Sequence, residues 1–261
     1  MTSFDRAADI YDQTRGFPPG VSERVVAALV KFLNLTPDQP ILEIGVGTGR
    51  IAKPLAAALG PGHHLSGIDL SRKMMGRLRD SLPITVKPPA LMEANALRLP
   101  FPARTFQAIL TVHVLHLIRE WRDLLVEMER ARAPGGIFVG GWNDHPPESS
   151  GERLSQKFRE LAVGHGISIE RQGIGMYRDV LQHLPNPRAI EITAAEWTIE
   201  RAPRLALQSI AERHFSSSWL VPDDLYPALY AELEAWAQKE WPDLDQAILE
   251  RRSFKWLKIE F

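Results

Sequence analysis

Cysteine is absent from the 261 residues. That one absence excludes a disulfide scaffold, a cysteine nucleophile, a thiolate zinc site and an iron–sulfur cluster. A surplus of charge is missing too, because 31 basic side chains face 32 acidic ones for a formal net charge of −1. Neutralising a phosphate backbone takes a surplus of lysine and arginine, so no nucleic-acid partner is expected. Apolar stretches fall short of the roughly 20 residues that a membrane helix needs, and no membrane partner is expected either. The first residues, Met-Thr-Ser-Phe-Asp-Arg, carry an acidic side chain where a signal peptide would be positive, which reads as a soluble, cytoplasmic chain. Low-complexity tracts and internal repeats are lacking, so function must sit in a site on a globular fold.

What is present is an alternation of short apolar runs and amphipathic segments. Val25, Leu29, Phe32 and Leu33 fall at helical spacing within 21–35. The run 41–44 then reads as a buried strand ending in glycines, and Ile51, Leu55 and Ala58 give a helix that Gly60 stops. A second strand is expected over 64–69 and a second helix over 74–82. Further strands are expected over 90–94, 106–113 and 137–142, with a helix through Leu124, Leu125 and Met128 and a loop at Pro134-Gly135-Gly136 before the last of them. Strands alternating with helices point to a parallel sheet covered on both faces. Farther on, 150–185 reads as two helices with a glycine-rich break, 189–200 as an extended element, and Leu225, Leu229, Leu233 and Trp236 as a long helix ended by Pro242. A final strand carries Phe254, Trp256, Leu257 and Ile259.

Gly45, Gly47 and Gly49 alternate between the first strand and the following helix, which turns backbone amides and a positive helix end toward an anionic or polar cofactor tail. Arg50 stands where a dinucleotide fingerprint would have its third glycine, and Gly49-Arg50-Ile51 lacks the Lys-Ser/Thr close of a nucleoside-triphosphate loop. Asp69 ends the second strand, where a carboxylate can take both ribose hydroxyls of an adenosine, or can cap a helix that Ser71 could equally cap. Asn95-Ala96, before Leu99-Pro100-Phe101, suits an adenine amine and leaves room for its ring.

The stretch 41–49, Ile-Leu-Glu-Ile-Gly-Val-Gly-Thr-Gly, resembles the first motif of the class I S-adenosylmethionine-dependent methyltransferases. Asp69-Leu70-Ser71 with Met74 resembles their second motif, Glu93-Ala94-Asn95-Ala96 their third, and 130–136 the loop before their fifth strand. Tyr11-Asp12, Arg15-Gly16 and 113–117 look like the small-molecule subgroup related to the ubiquinone and menaquinone C-methyltransferases.

This resemblance implies an α/β fold, a doubly wound, mostly parallel seven-stranded Rossmann-like sheet with a helical cap. A single methyltransferase domain over 1–261 would comprise an N-terminal flap (1–35), a cofactor-binding core (36–142), helices and a late sheet strand (143–200), a helical cap (201–250) and a terminal strand (251–261). It also implies S-adenosyl-L-methionine as cofactor and methyl transfer to a small-molecule acceptor by in-line displacement. The glycines would pass under the methionine moiety, which Glu43 would orient. Asp69 would hold the ribose, and Leu70 and Met74 would pack on the adenine. Asn95 stands where the family usually has Asp, with Ala96 beside it. Arg15 would reach the cofactor carboxylate, and the Thr111 carbonyl its amino group.

The sulfonium already makes the methyl electrophilic, so the protein must align a nucleophile and exclude water. Where the acceptor needs a base, His113, His116 and Tyr11 are the catalytic candidates. His63-His64 reads as solvent-facing, with no metal site. Of seven tryptophans, Trp142 is expected to line a pocket and Trp197, Trp236 and Trp256 to belong to the core. Tyr177, Phe215 and Trp219 are expected in the cap. Two alternatives stand beside this reading: a protein of the same fold that binds the cofactor without transferring a methyl, and a nucleic-acid methyltransferase. The second would want an Asn/Asp-Pro-Pro-Tyr/Phe motif where Thr111-Val112-His113-Val114 stands. The acceptor, the atom methylated and the choice between monomer and homodimer stay open.

Overall fold

The computed structural model describes residues 16–168 and 177–260. Its sheet has seven strands, β1 (Pro40–Ile44), β2 (His64–Asp69), β3 (Ala90–Glu93), β4 (Phe106–Val112), β5 (Arg132–Asp144), β6 (Arg188–Arg201) and β7 (Ile248–Glu260), in the order β3-β2-β1-β4-β5-β7-β6. From β3 through β5 each neighbouring pair is parallel. The seven-stranded, mostly parallel, doubly wound α/β sheet expected from the sequence is the sheet observed.

Among the described residues, seven α-helices accompany these strands: α1 (Val21–Leu33), α2 (Ala52–Leu59), α3 (Arg72–Asp80), α4 (Trp121–Ala131), α5 (Ser150–Gly164), α6 (Pro203–Ala211) and α7 (Tyr226–Glu240). Gly60, at φ +75°, ends α2, and Ser71 caps α3 by accepting from the Met74 amide at 3.1 Å. No helix among the described residues is long and apolar enough to cross a membrane.

The described residues fall into two compact units, one drawn from 16–142, 177–195 and 254–260, the other from 143–168 and 196–253. The first holds the inner strands and a core that includes Leu42, Ile44, Ile109, Phe138 and Leu257. The second has its own core of Leu154, Phe158, Leu207, Ile210, Leu229 and Leu233, contributed by α5, α6 and α7. Within this unit α5 shares a core with α6 and α7.

Two local expectations need correction. Pro134-Gly135-Gly136 lies inside β5, since residue 107 of β4 faces four residues, 133–136, as a bulge between the pairs Phe106–Arg132 and Ala108–Ile137. Gly135, at φ +73°, supplies the backbone freedom that this bulge requires. His63 is buried rather than solvent-facing. Its Nδ1 accepts from the Leu65 amide at 3.2 Å, its Nε2 lies 2.9 Å from the Lys87 carbonyl, and the imidazole thereby closes the turn before β2.

Candidate functional site

The strand order reverses at β1, which feeds β2 on one side and lies beside β4 on the other, so a crevice opens above the carboxyl ends of β1 and β4. The glycine turn that leaves β1 borders it. Gly45, Gly47 and Gly49 all have positive φ, at 72°, 54° and 80°. A side chain at Gly49 would meet Leu78 and Lys53, and one at Gly45 would strike Val114, so the turn tolerates no Cβ at either place.

The amides of this turn do not form an open anion cradle. Those of Gly45 and Val46 donate to the Ile68 carbonyl at 2.8 and 3.0 Å, and that of Gly49 to the Val46 carbonyl at 2.9 Å. The Gly47 amide donates to Asp69 Oδ2, also at 2.9 Å. The expectation of amides turned outward toward an anionic tail is corrected here, because the turn consumes these donors in its own closure. A ligand over it meets close-approaching backbone rather than a nest of free N–H groups.

Asp69 links two turns through its carboxylate. Oδ1 accepts from the Ser71 amide at 2.9 Å and Oδ2 from Gly47, so the carboxylate ties the β1 turn to the β2 turn. Ser71 is the cap of α3, its hydroxyl accepting from the Met74 amide. Leu70 beside it is half-buried, whereas Met74 is 3% exposed and belongs to the layer beneath α3.

Glu43 lies one residue before the end of β1 and is 2% exposed. Its Oε2 has no hydrogen-bond partner, and burial pushes its carboxyl up to about 8, against the opposing pull of Arg50. An unpartnered carboxyl oxygen in so dry a place is costly, and a cationic or hydrogen-donating ligand group would relieve it.

On the adenosine side, Asn95 is exposed and its Oδ1 accepts from the Leu97 amide at 2.9 Å, closing a tight polar turn. Ala96 is buried. Arg130 donates to the carbonyls of Leu99 and Phe101 while Glu127 accepts from the Leu99 amide, so α4 pins the loop that follows Asn95.

At the other end, β4 stops at His113, which takes a left-handed φ of 56°, and a 3-10 turn over Leu115–Leu117 follows. The His113 and His116 rings stand edge to face, 6.5 Å apart, and both side chains are half-buried. The Thr111 carbonyl accepts from the Tyr177 hydroxyl at 2.9 Å. The Tyr177 ring covers Gly140, where a Cβ would strike it, and stacks on Trp142 at 5.6 Å and 17°. Burial raises the Tyr177 phenol to about 12, so it stays protonated and donates.

Tyr177 and Arg50 are the residues whose place the sequence did not reveal. Tyr177 was expected in the cap, yet it belongs to the first unit, on β4 and β5. Arg50, noticed only for what it excludes, lies over the Phe17 ring at 4.4 Å and faces Glu43 and Tyr177 electrostatically. Tyr11 and Arg15 lie outside the described residues. Three positive-φ glycines, the Asp69 carboxylate at the end of β2 and the orphaned Glu43 oxygen fit the nucleoside and cationic methionine ends of S-adenosylmethionine.

Comparison with known proteins agrees with this geometry. Residues 42–140 match the family described as a methyltransferase domain. The demethylmenaquinone methyltransferase of Tropheryma whipplei is 31% identical over 150 residues, 55% of this chain and 58% of that one. The ubiquinone/menaquinone biosynthesis C-methyltransferase of Cupriavidus metallidurans is 31% identical over 136 residues, 51% of this chain and 55% of that one. The chain thus spans little more than half the length of the curated relatives that it matches. Among solved structures, the YcgJ protein of Bacillus subtilis superposes with a TM-score of 0.58 at 14% identity, covering 90% of this chain and 97% of the other. The phosphoethanolamine N-methyltransferase 2 of Haemonchus contortus gives 0.52 at 16%, covering 98% of this chain and 58% of the other. Over residues 42–140 the chain is therefore similar to the family described as a methyltransferase domain.

Proposed function

We propose that this protein transfers a methyl group from S-adenosylmethionine to a small-molecule acceptor. The observation that carries this reading is Asp69 at the carboxyl end of β2, bonded to the Gly47 amide of the glycine turn that leaves β1. When bound, the cofactor supplies an electrophilic methyl on a sulfonium.

The chain's own residues do the rest. Gly45, Gly47 and Gly49 let the backbone approach closely, Asp69 accepts from the ribose hydroxyls, and Asn95 and Ala96 border the adenine with Leu70. Glu43 faces the cationic end. Arg15 and the Thr111 carbonyl remain part of the proposal through the family resemblance. His113 and His116 are the groups able to take a proton near neutral pH, with Tyr11 as a third candidate. Tyr177, held protonated, orients rather than abstracts. The names of the similar quinone methyltransferases, together with the stacked Trp142–Tyr177 pair, support a flat, apolar acceptor.

Calorimetric titration with S-adenosylhomocysteine tests the reading. Asp69→Ala should weaken binding by about 1–3 kcal/mol, the scale of polar partners left unmade. Equal affinity in the variant and the parent would overturn the ribose assignment.

A further inference from the structure

The Tyr177 hydroxyl is directed at backbone on the rim of the crevice. It donates to the Thr111 carbonyl at 2.9 Å, and the amides of His113 and Val114 donate to it, matching the one donor and two lone pairs of a phenol. These three backbone groups span the place where β4 ends, its last pair with β5 being Val112–Gly141, and where His113 turns the chain through a φ of 56°. A residue with a side chain is strained in that left-handed region and persists there only where its surroundings fix it.

The ring and the hydroxyl serve different ends. The ring stacks on Trp142 and lies against Gly140, the β5 residue that pairs with Thr111. A phenylalanine would fill that place as well, so only the backbone bonds call for tyrosine. Val114, one of the two donors, has its side chain against Gly45, where a Cβ would strike it. The turn that leaves β4 therefore bears directly on the turn that leaves β1, and His113 lies in the first of them, edge to face with His116.

We propose that Tyr177 is a positioning residue: its hydroxyl fixes the turn after β4, and so sets where Val114 meets the glycine turn and where the His113 imidazole stands at the crevice rim. This deepens the methyl-transfer reading and rests on it. A rim held in place before the cofactor arrives binds it without the cost of ordering that rim. The phenol itself moves no proton in this scheme, since burial raises it to about 12 and keeps its donor bond intact through neutral pH.

Tyr177→Phe in the full chain is the test, because it keeps the ring and deletes the hydroxyl. Without cofactor, hydrogen exchange followed by NMR should show the His113 and Val114 amides exchanging about tenfold faster, while amides inside β1 and β2 hold the parent's rates. Calorimetry should show S-adenosylhomocysteine bound about five- to tenfold more weakly, the equivalent of one net hydrogen bond. Leu229→Val, in the core of the second unit, supplies a variant destabilised elsewhere and should change neither readout. Parental exchange at His113 and Val114 in Tyr177→Phe would overturn the proposal, and so would parental or tighter binding of S-adenosylhomocysteine, the tighter case making the hydroxyl an obstacle. Equal losses in Leu229→Val would reduce the effect to general stability and overturn it too. A parent that binds no S-adenosylhomocysteine would sink the methyl-transfer reading and the positioning role with it. Exchange measured without cofactor tells that failure from a failure of the hydroxyl to hold the turn.

Discussion

At the glycine turn, Asp69 meets the Gly47 amide across 22 residues of sequence, whereas in the second unit Glu250 meets Ser150 across 100. The first linkage joins adjacent turns of neighbouring parallel strands, and main-chain geometry brings its donors close. The second depends on distant segments folding together around a buried carboxylate. A site assembled from turns can lose one side chain and keep its shape. A buried charge assembled from distant segments cannot, because removing one partner strands the other.

The sharpest way to break this comparison is Glu250→Ala. It leaves the Arg252 guanidinium and the Ser150 amide and hydroxyl without their carboxylate, and chemical denaturation should show a loss of about 3–5 kcal/mol. Affinity for S-adenosylhomocysteine should stay within about twofold of the parent, since the glycine turn draws nothing from Glu250. A parallel collapse of cofactor affinity in protein that remains folded would refute the separation of the two regions.

Glu43 is the exception within the first unit, a buried carboxyl that its own turn does not satisfy. Its pKa rises from the ordinary 4.5 to about 8, so the native protein keeps a proton that the unfolded chain has released between those values. Stability contributed by this group is full below about pH 4.5, declines by about 1.4 kcal/mol per pH unit as pH rises, and levels off above 8. Denaturation curves from pH 6 to 8 should therefore show a loss of about 2–3 kcal/mol in the parent. The slope should vanish in Glu43→Gln, which mimics the protonated carboxyl. An unchanged slope in that variant would assign the titration to another group.

The glycines offer a finer comparison inside one turn. Gly49→Ala combines a φ of +80° with a Cβ 2.6 Å from Leu78 Cγ, and should cost about 2 kcal/mol. Gly47→Ala meets nothing nearer than the Gly45 carbonyl at 4.0 Å and should cost about 1 kcal/mol for the backbone alone. Thermal denaturation ranking the two equally would show that strain, not crowding, selects glycine here. Smallest in stability but not in rate is His116→Ala on its half-buried 3-10 turn. It should change stability by less than about 1 kcal/mol and lower turnover more than cofactor affinity.

Much of the first unit was legible in the chain because its signals are local. An apolar run followed by alternating glycines can be a buried strand and a turn at almost any length of protein, and Asp69 and Ser71 announce their roles within three residues. The bulge in β5 was not legible, because Pro134-Gly135-Gly136 reads as a loop until its flanks pair with Phe106 and Ala108 of β4. His63 was misread for a similar reason, its partner Lys87 being 24 residues away. Tyr177 follows glycines that suggested a cap, and only its bond to the Thr111 carbonyl ties it to β4.

The sequence by itself determined the strand–turn–helix order, the three alternating glycines of the turn, and the acidic residue at the end of β2. Each follows from backbone sterics and hydrophobic period within a short window. Only the tertiary structure decided that the turn's amides are spent on Ile68, Val46 and Asp69, that Glu43 keeps an unpaired oxygen, and that Ser150 and Arg252 share Glu250. Hydrogen-bond satisfaction and charge balance depend on which groups are close in space, and no local pattern encodes a neighbour 100 residues away.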